Sequence, residues 1–351
     1  MKFRYSRVPL QHLAVSAVFI IAAIVVCYVC RDFQQTPYYN QQLEAAQFMR
    51  QCMDSLATLS DRYANELDPN HTNLIGVEYS PITTTLGDLK AKRTSTNSDF
   101  AALMVRWLNE LKLNQGDVVA IGCSGSFPGL ILAAICAVEV MQLQPIIIPS
   151  LGASSYGANR SDFTYIDIET FLFQKNLIRY RSAAASLGGA GDTASDLSTE
   201  GRELLLKAIQ HNKIKLINET NLKKNVQLRA AIYKKNGRPK VFINIGGAQI
   251  NIGDYRYEKR LAPALNYFSS GSVQNPTSMI EYYSNLGVPI IHLLKIEHIA
   301  LQYNLAFDPI PLPEPGKSLV YFDVVFPFYG WFISILLIGL GCLRLVWDRI
   351  R

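Results

Sequence analysis

The sequence predicts an α/β protein: an extracytoplasmic, mostly parallel sheet with helices on both faces, flanked by one N-terminal and one C-terminal transmembrane helix. Three observations carry that expectation. Short, continuously apolar runs such as "VVAIG" (118–122) and "PIIIPS" (145–150) alternate with helical periodicities, the pattern of a parallel sheet covered on both sides. Long uncharged apolar runs lie near both ends, each about as long as a bilayer crossing requires. The 351 residues are 49% hydrophobic and 18% charged without low-complexity tracts, so a packed core is expected between the two runs.

Residues 1–12 form a basic N-terminus holding Lys2, Arg4 and Arg7, and 13–30 ("LAVSAVFIIAAIVVCYVC") is the first span. No small-residue cleavage pattern follows it, so it is expected to stay as an anchor. Residues 31–96 read as a membrane-proximal helix and linker. The helix, Tyr38 to Tyr63, has Leu43, Ala46, Met49, Met53, Leu56 and Leu59 at helical spacing, and a short strand is expected at Leu74–Val77.

The α/β domain is 97–306. Asn97 or Ser98 caps a helix through Leu111. Strands at 118–122 and 145–150 bracket a helix from Gly129 to Met141, and a further helix follows at "YIDIETFLFQKN". A strand near "RYRSAAAS", a helix capped near Ser198, the strand "KIKLI", a helix over "NLKKNVQLRAAIYKK" and the strand "KVFINIG" come next. A helix near Thr277–Asn285, the strand "VPIIHLL" and a helix through Leu301 end it. Residues 307–323 are proline-rich and extended, a stiff strut. The second span, 324–346, has Tyr329 and Trp331 at one edge, with Arg344, Arg349 and Arg351 toward the 347–351 tail. Both basic flanks place the termini in the cytoplasm and the domain outside the membrane.

The net charge of +6 is spread without a basic run, which argues against nucleic acid. Cys27, Cys30 and Cys342 fall in the spans. Cys52, Cys123 and Cys136 are odd in number and irregular in spacing, so they read as core residues and not as a disulfide framework. His71, His211, His292 and His298 are scattered; no metal site and no cofactor is expected.

In such a sheet ligands bind beyond the carboxyl ends of the strands. Four glycine-rich loops are expected there, holding Gly122, Gly125 and Gly129; Gly152, Ser154, Ser155 and Asn159; Gly188, Gly189 and Asp192; and Gly246 and Gly247. Converging, they would form a floor of backbone N–H groups for an anion, helped by Pro128 at a helix start. Arg160, Arg179 and Arg181 stand beside these loops as a carboxylate clamp; each taken singly is a solvated surface residue.

The spacing of "IGCSGSFPG" (121–129) fits neither G-x-G-x-x-G nor a phosphate loop with its lysine, and its last glycine is misplaced for G-x-S-x-G. A nucleophilic Ser124 or Ser126 with His292 as base and Asp162 or Asp192 orienting it is the enzymatic alternative. Against it, a histidine in an apolar strand is more often a satisfied core residue. Cys123 lacks a neighbouring positive charge, and Asp167 and Glu169, two apart on a helix, point to different faces.

Three long stretches, "SGSFPGLILAAICAVEVMQLQPIIIPSLGASSYGANRSDFTYIDIE", "RSAAASLGGAGDTASDLSTEGRELLLKAI" and "FINIGGAQINIGD", resemble the membrane-associated poly-gamma-glutamate system protein family. The resemblance extends roughly from Phe100 to Leu305. It implies a membrane-anchored accessory protein of poly-gamma-glutamate biosynthesis or export, with the anionic polymer or its membrane synthase complex as partner. It carries over no catalytic residues. A serine-dependent hydrolase or transferase on the polymer's amide bonds, and a purely structural membrane subunit, are the alternatives; Gly339 and Gly341 offer the latter small residues for helix contact.

Overall fold

A computed structural model describes residues 10–59, 66–253, 261–271 and 275–350. The expected basic flank at Lys2, Arg4 and Arg7, the end of the first amphipathic helix from Ser60 to Tyr63, and Arg351 lie outside them. In chain order the elements are α1 (Leu10–Val29), β1 (Asp32–Gln35), α2 (Tyr39–Ala57), β2 (Thr83–Thr85), α3 (Leu89–Thr94), α4 (Asp99–Glu110), β3 (Val118–Ser124), α5 (Pro128–Val140), β4 (Gln144–Ser150), β5 (Ala153–Ser154), β6 (Asn159–Arg160), β7 (Phe163–Thr164) and α6 (Tyr165–Gln174). They continue with α7 (Thr199–His211), α8 (Leu222–Tyr233), β8 (Val241–Ile245), α9 (Gln249–Ile252), β9 (Ala264–Asn266), α10 (Met279–Asn285), β10 (Ile290–Leu293), α11 (Ile296–Gln302), β11 (Phe322–Val325) and α12 (Phe328–Ile350).

The chain divides into two compact units, Tyr38–Tyr321 and the two ends up to Pro37 and from Phe322. In the larger unit a five-stranded sheet has the order β4-β3-β8-β10-β9. The first four strands are parallel and β9 runs antiparallel at the edge, so the sheet is mixed. Because β4 lies on one side of β3 and β8 on the other, the winding reverses between β3 and β8.

One face buries Val118, Ala120, Phe242 and Ile290 against Val226, Ala230 and Tyr233 of α8 and Met279 and Tyr283 of α10. Phe242 and Tyr283 stack there at 4.8 Å, and Tyr233 Oη donates to the Ile121 carbonyl at 3.0 Å. Apart from Glu139, helix α5 is apolar on every side because it is buried on every side: α2 and α4 both pack on it. Helix starts follow expected chemistry, with Ser198, Asn221 and Ser278 accepting N–H bonds from the first turns of α7, α8 and α10.

Two expected strands are thinner than their sequences suggest. "RYRSAAAS" and "KIKLI" join the sheet only as isolated bridges, Ser150 to Ser186 and Ala185 to Leu216. No strand forms at Leu74–Val77; the short strand is β2, parallel to β5. The proline-rich segment is not a free strut. Pro309 O accepts from Asn70, Leu312 and Pro313 carbonyls accept from Arg50, and Asp308 pairs with Arg93, all within the larger unit. Pro309 and Pro313 lack N–H groups and bind through their carbonyls.

In the smaller unit α1 and α12 run antiparallel. Ser16 Oγ donates to Gly341 O at 2.9 Å, and Ser334 Oγ lies 3.2 Å from Ala23 O and 3.1 Å from Cys27 Sγ. Gly341 allows the approach, since a Cβ there would meet Phe19 Cβ at 3.2 Å, whereas Gly339 has open space around it. Below them β1 pairs antiparallel with β11. Among the described residues α1 alone is long and apolar enough to cross a membrane; the apolar stretch of α12, Phe328–Leu343, is shorter.

Candidate functional site

A cavity of about 500 Å³ lies beyond the carboxyl ends of β3 and β4, at the reversal point between β3 and β8. Ser124 and Ser126 enter it from the β3 end, Ser150, Gly152 and Ser154 from β4 and β5, Gly189 from the third glycine loop, and Gly247 and Gln249 from the fourth. Convergence of the four loops is therefore observed. The rest of the wall, Thr84 to Asp88 with Ala91 and Lys92, comes from β2, α3 and the turn between them.

The loops spend their backbone N–H groups on each other. Gly125 N–H donates to Ser150 O, Leu151 N–H to Ser186 O, Gly152 N–H to Leu187 O, and Ala158 N–H to Gly125 O. Ala190 and Gly191 donate to the side chains of Asp196 and Gln249. Most of the expected anion floor is thus a loop scaffold.

Other expected site residues are structural. A Cβ on Gly122 would strike the Asn251 amide at 2.8 Å, one on Gly125 the Leu151 carbonyl at 2.4 Å, and one on Gly129 the Ser95 carbonyl at 2.4 Å. Gly188 and Gly246 take positive φ, 76° and 82°, and turn their loops. Asn159 bonds Val77 on both its backbone groups and donates to Thr83 Oγ1, pinning that segment. Ser155 bonds the Thr85 carbonyl.

Asp192 is wholly buried in an ion pair with Arg229 at 2.7 Å, and its carboxylate also accepts from Ser150, Ser186 and Asn225. It orients no histidine. His292 does not line the cavity; it is buried, its Nδ1 accepts from Asn244 at 2.9 Å, and burial lowers its pKa to about 4. The arginine clamp is also absent from the cavity wall. Arg179 is held by Glu139, Arg181 donates to Thr170 and the Asn212 carbonyl, and Arg160 lies beside a separate small cleft. Burial raises the Cys123 thiol far above its usual range, and Cys52 and Cys136 are likewise buried and free.

The group that sequence reading missed is Lys92. Among the described residues it is the one cation in the cavity lining, and it is 2% exposed. Its Nζ lies 2.8 Å from Ser154 Oγ and 2.6 Å from Ser126 O, and 3.6 Å from the centroid of the Phe127 ring. Burial lowers its pKa to about 7, against a smaller upward pull from Asp88. Ser126 Oγ accepts the Ser154 N–H at 3.0 Å, tying the first two loops at this point. Gly87 keeps the pair open: a Cβ there would sit 3.2 Å from both Ser154 Oγ and Lys92 Cε, and 2.4 Å from Ser155 O.

A neutral lysine has two N–H donors and one lone pair. Lys92 Nζ donates to Ser126 O and to Ser154 Oγ, so once the amine is neutral its lone pair stands within reach of the Ser154 hydroxyl proton, a geometry that suits a serine nucleophile with a lysine base. Among the described residues no group of three or more acidic, histidine or cysteine side chains is placed to hold a metal. No protein-family model, curated protein or solved structure matches the chain.

Proposed function

We propose that the chain is a membrane-tethered hydrolase or acyl transferase in which Ser154 is the nucleophile and Lys92 the general base. The single observation behind this reading is the 2.8 Å contact between Ser154 Oγ and a buried Lys92 whose amine is close to half neutral at pH 7. Ser154 Oγ attacks the carbonyl carbon of an amide or ester, and its proton passes to Lys92 Nζ. Lys92 then returns that proton to the departing amine or alkoxide as the carbonyl–heteroatom bond breaks, leaving an ester on Ser154. Water or an acceptor amine, deprotonated by Lys92, releases the acyl group. Family resemblance suggests the substrate, the amide bonds of poly-gamma-glutamate, and with it a place in making, exporting or anchoring that polymer. Helix α1 supplies the tether; a second crossing by α12 and an extracytoplasmic position for the larger unit complete the proposal.

The test is capture of Ser154 by a fluorophosphonate, read by intact and peptide mass on the full chain in detergent, alongside polymer length on a gel. Modification at Ser154 that Lys92→Met abolishes supports the reading. An unreactive Ser154 together with unchanged polymer overturns it.

A second, non-catalytic reading rests on the start of α5, a 13-residue helix with Pro128 in its first turn that opens beside the cavity through Phe127. A protonated Lys92 and the surrounding hydroxyls would then hold a carboxylate of the polymer. Binding of the polymer that survives Ser154→Ala but not Lys92→Met, with no phosphonate capture, would favour it.

A further inference from the structure

We propose that Asp308, on the proline-rich segment, is a positioning residue for Lys92: by gripping Arg93 and Thr94 it fixes α3 against the cavity. This rests on the reading of Lys92 and Ser154 as the reacting pair.

Helix α3 is only six residues long, too short to hold its own shape in water, so its side chains are placed by what grips it. On the cavity side Lys92 itself is held by Ser126 O, Ser154 Oγ and Phe127. At its start Asp88 Oδ1 accepts the Ala91 N–H at 2.7 Å. On the outer side one residue makes three bonds to two successive positions. The Asp308 carboxylate takes Arg93 Nε at 2.5 Å and Nη2 at 2.6 Å, and the Asp308 N–H donates to Thr94 Oγ1 at 2.8 Å. Arg93 and Thr94 directly follow Lys92, so the grip acts one residue from the base.

The ion pair is half-sheltered, with side-chain exposures of 17% and 15%, and it is a two-pronged fork, the geometry that fixes orientation best. Asp308 adopts φ 51°, a left-handed conformation that aspartate and asparagine tolerate and most residues do not. The segment is in turn anchored through the Pro309, Leu312 and Pro313 carbonyls to Asn70 and Arg50. These bonds make it a strap across the larger unit that ends on α3.

If the strap lets go, α3 moves outward and water reaches Lys92. The base then titrates nearer the ordinary lysine value and is protonated at neutral pH. The charges that bear on this corner are Asp88 on Lys92, and Asp308, Asp68 and Asp88 on Arg93.

Asp308→Asn is the informative variant, because asparagine keeps the left-handed backbone and the N–H to Thr94 while removing the charged fork. The Lys92 amine is titrated directly in the full chain in detergent, by isotopic acetylation across a pH series read by mass spectrometry. This readout needs no catalysis. The expected midpoint is about 7 in the unmodified protein, rising by about one unit or more in Asp308→Asn. Ser154 capture by a fluorophosphonate, run in parallel at neutral pH, should fall several-fold in Asp308→Asn. If Ser154 reacts normally and both midpoint and rate hold in a folded Asp308→Asn protein, the positioning role is wrong while the reacting pair stands. If Ser154 resists the phosphonate at every pH in the unmodified protein, the reacting pair is wrong and the positioning role falls with it.

Discussion

Lys92 Nζ stands 2.8 Å from Ser154 Oγ, though the two residues are 62 positions apart and come from different elements, α3 and β5. Neither residue alone is informative, since buried serines are common and a lysine on a short helix is ordinary. What makes the pair chemical is burial without a counter-charge in contact: Lys92 donates to a carbonyl and a hydroxyl, and among the described residues no carboxylate bonds its amine, Asp88 acting only through space.

Removing the base or the nucleophile should therefore cost far more activity than stability. Ser154→Ala is expected to abolish phosphonate capture, and Lys92→Met to slow it by at least about a hundredfold. Pseudo-first-order capture rates at fixed probe concentration measure both. A Ser124→Ala protein, which alters a cavity hydroxyl outside the pair, should keep a rate within about tenfold of the starting one.

The lowered lysine pKa has a consequence for both rate and stability. Lys92 is expected to titrate at about 7 when folded, against the ordinary lysine value of 10.5 in the unfolded chain. Below both values it is protonated in either state, and the folded protein bears the full cost of burying a cation. Between about 7 and 10.5 the unfolded chain binds more protons, so this site's contribution rises with pH through that window. Capture of Ser154 should show an acid limb centred near 7, and Lys92→Met should flatten that part of the stability profile. Denaturant midpoints at several pH values check the second point; an equally steep profile in Lys92→Met would contradict it.

His292 gives the matching negative control. Burial holds it neutral down to about pH 4, and its Nδ1 serves Asn244. His292→Gln should leave the acid limb where it is, while disturbing the packing of β8 against β10. A limb displaced in that variant would reinstate the histidine as a base.

The α/β class and the four parallel strands were legible because apolar strands and capped helices leave local patterns, the antiparallel edge strand β9 was not, and the cavity was legible because glycine loops follow the strands that converge there. Ser124, Ser126, Gly152, Ser154, Gly189 and Gly247 do line it. Lys92 was not legible. It lies in "LKAKRT", a hydrophilic segment that reads as linker, and its burial is created by long-range packing on Phe127 and the β5 loop. The arginines misled for the same reason in reverse: Arg179 and Arg181 are adjacent to the loops in sequence, yet their side chains are taken by Glu139, Thr170 and Asn212. Distance along the chain says little about which polar partner a long side chain finds.

The glycine loops also change which substitutions are informative. Gly125→Val and Gly152→Val look like tests of ligand binding, but a Cβ would come within 2.4 Å of Leu151 O at Gly125 and 2.6 Å of Thr84 Cγ2 at Gly152. The carbonyl belongs to backbone and must shift, so Gly125→Val is expected to lower stability by about 2–4 kcal/mol before any ligand is involved. Thermal melts of the ligand-free protein should already separate it from the unmodified chain. An undisturbed melt would mean that the β4 loop gives way more easily than its hydrogen bonds suggest.

The buried pair beneath the third loop supports the sharpest stability prediction. Arg229 and Asp192 are both fully buried, 2.7 Å apart, and Asp192 also gathers Ser150, Ser186 and Asn225. Every lone pair in use on Asp192 has a donor, so the cluster is stable only as a whole. Arg229→Met would leave a carboxylate desolvated without its counter-ion, at a cost of about 3–5 kcal/mol. Asp192→Asn leaves the guanidinium unpaired and should cost a similar amount. The double variant Arg229→Met with Asp192→Asn removes both charges together, so it should lose less than the two single losses added. Because Ser150 lines the cavity and bonds Asp192, the single variants are also expected to slow Ser154 capture, whereas the double variant should recover part of that rate. Denaturation curves for the three proteins, with capture rates measured on the folded fraction, decide the point: strictly additive losses would show that the two charges do not act as one buried unit.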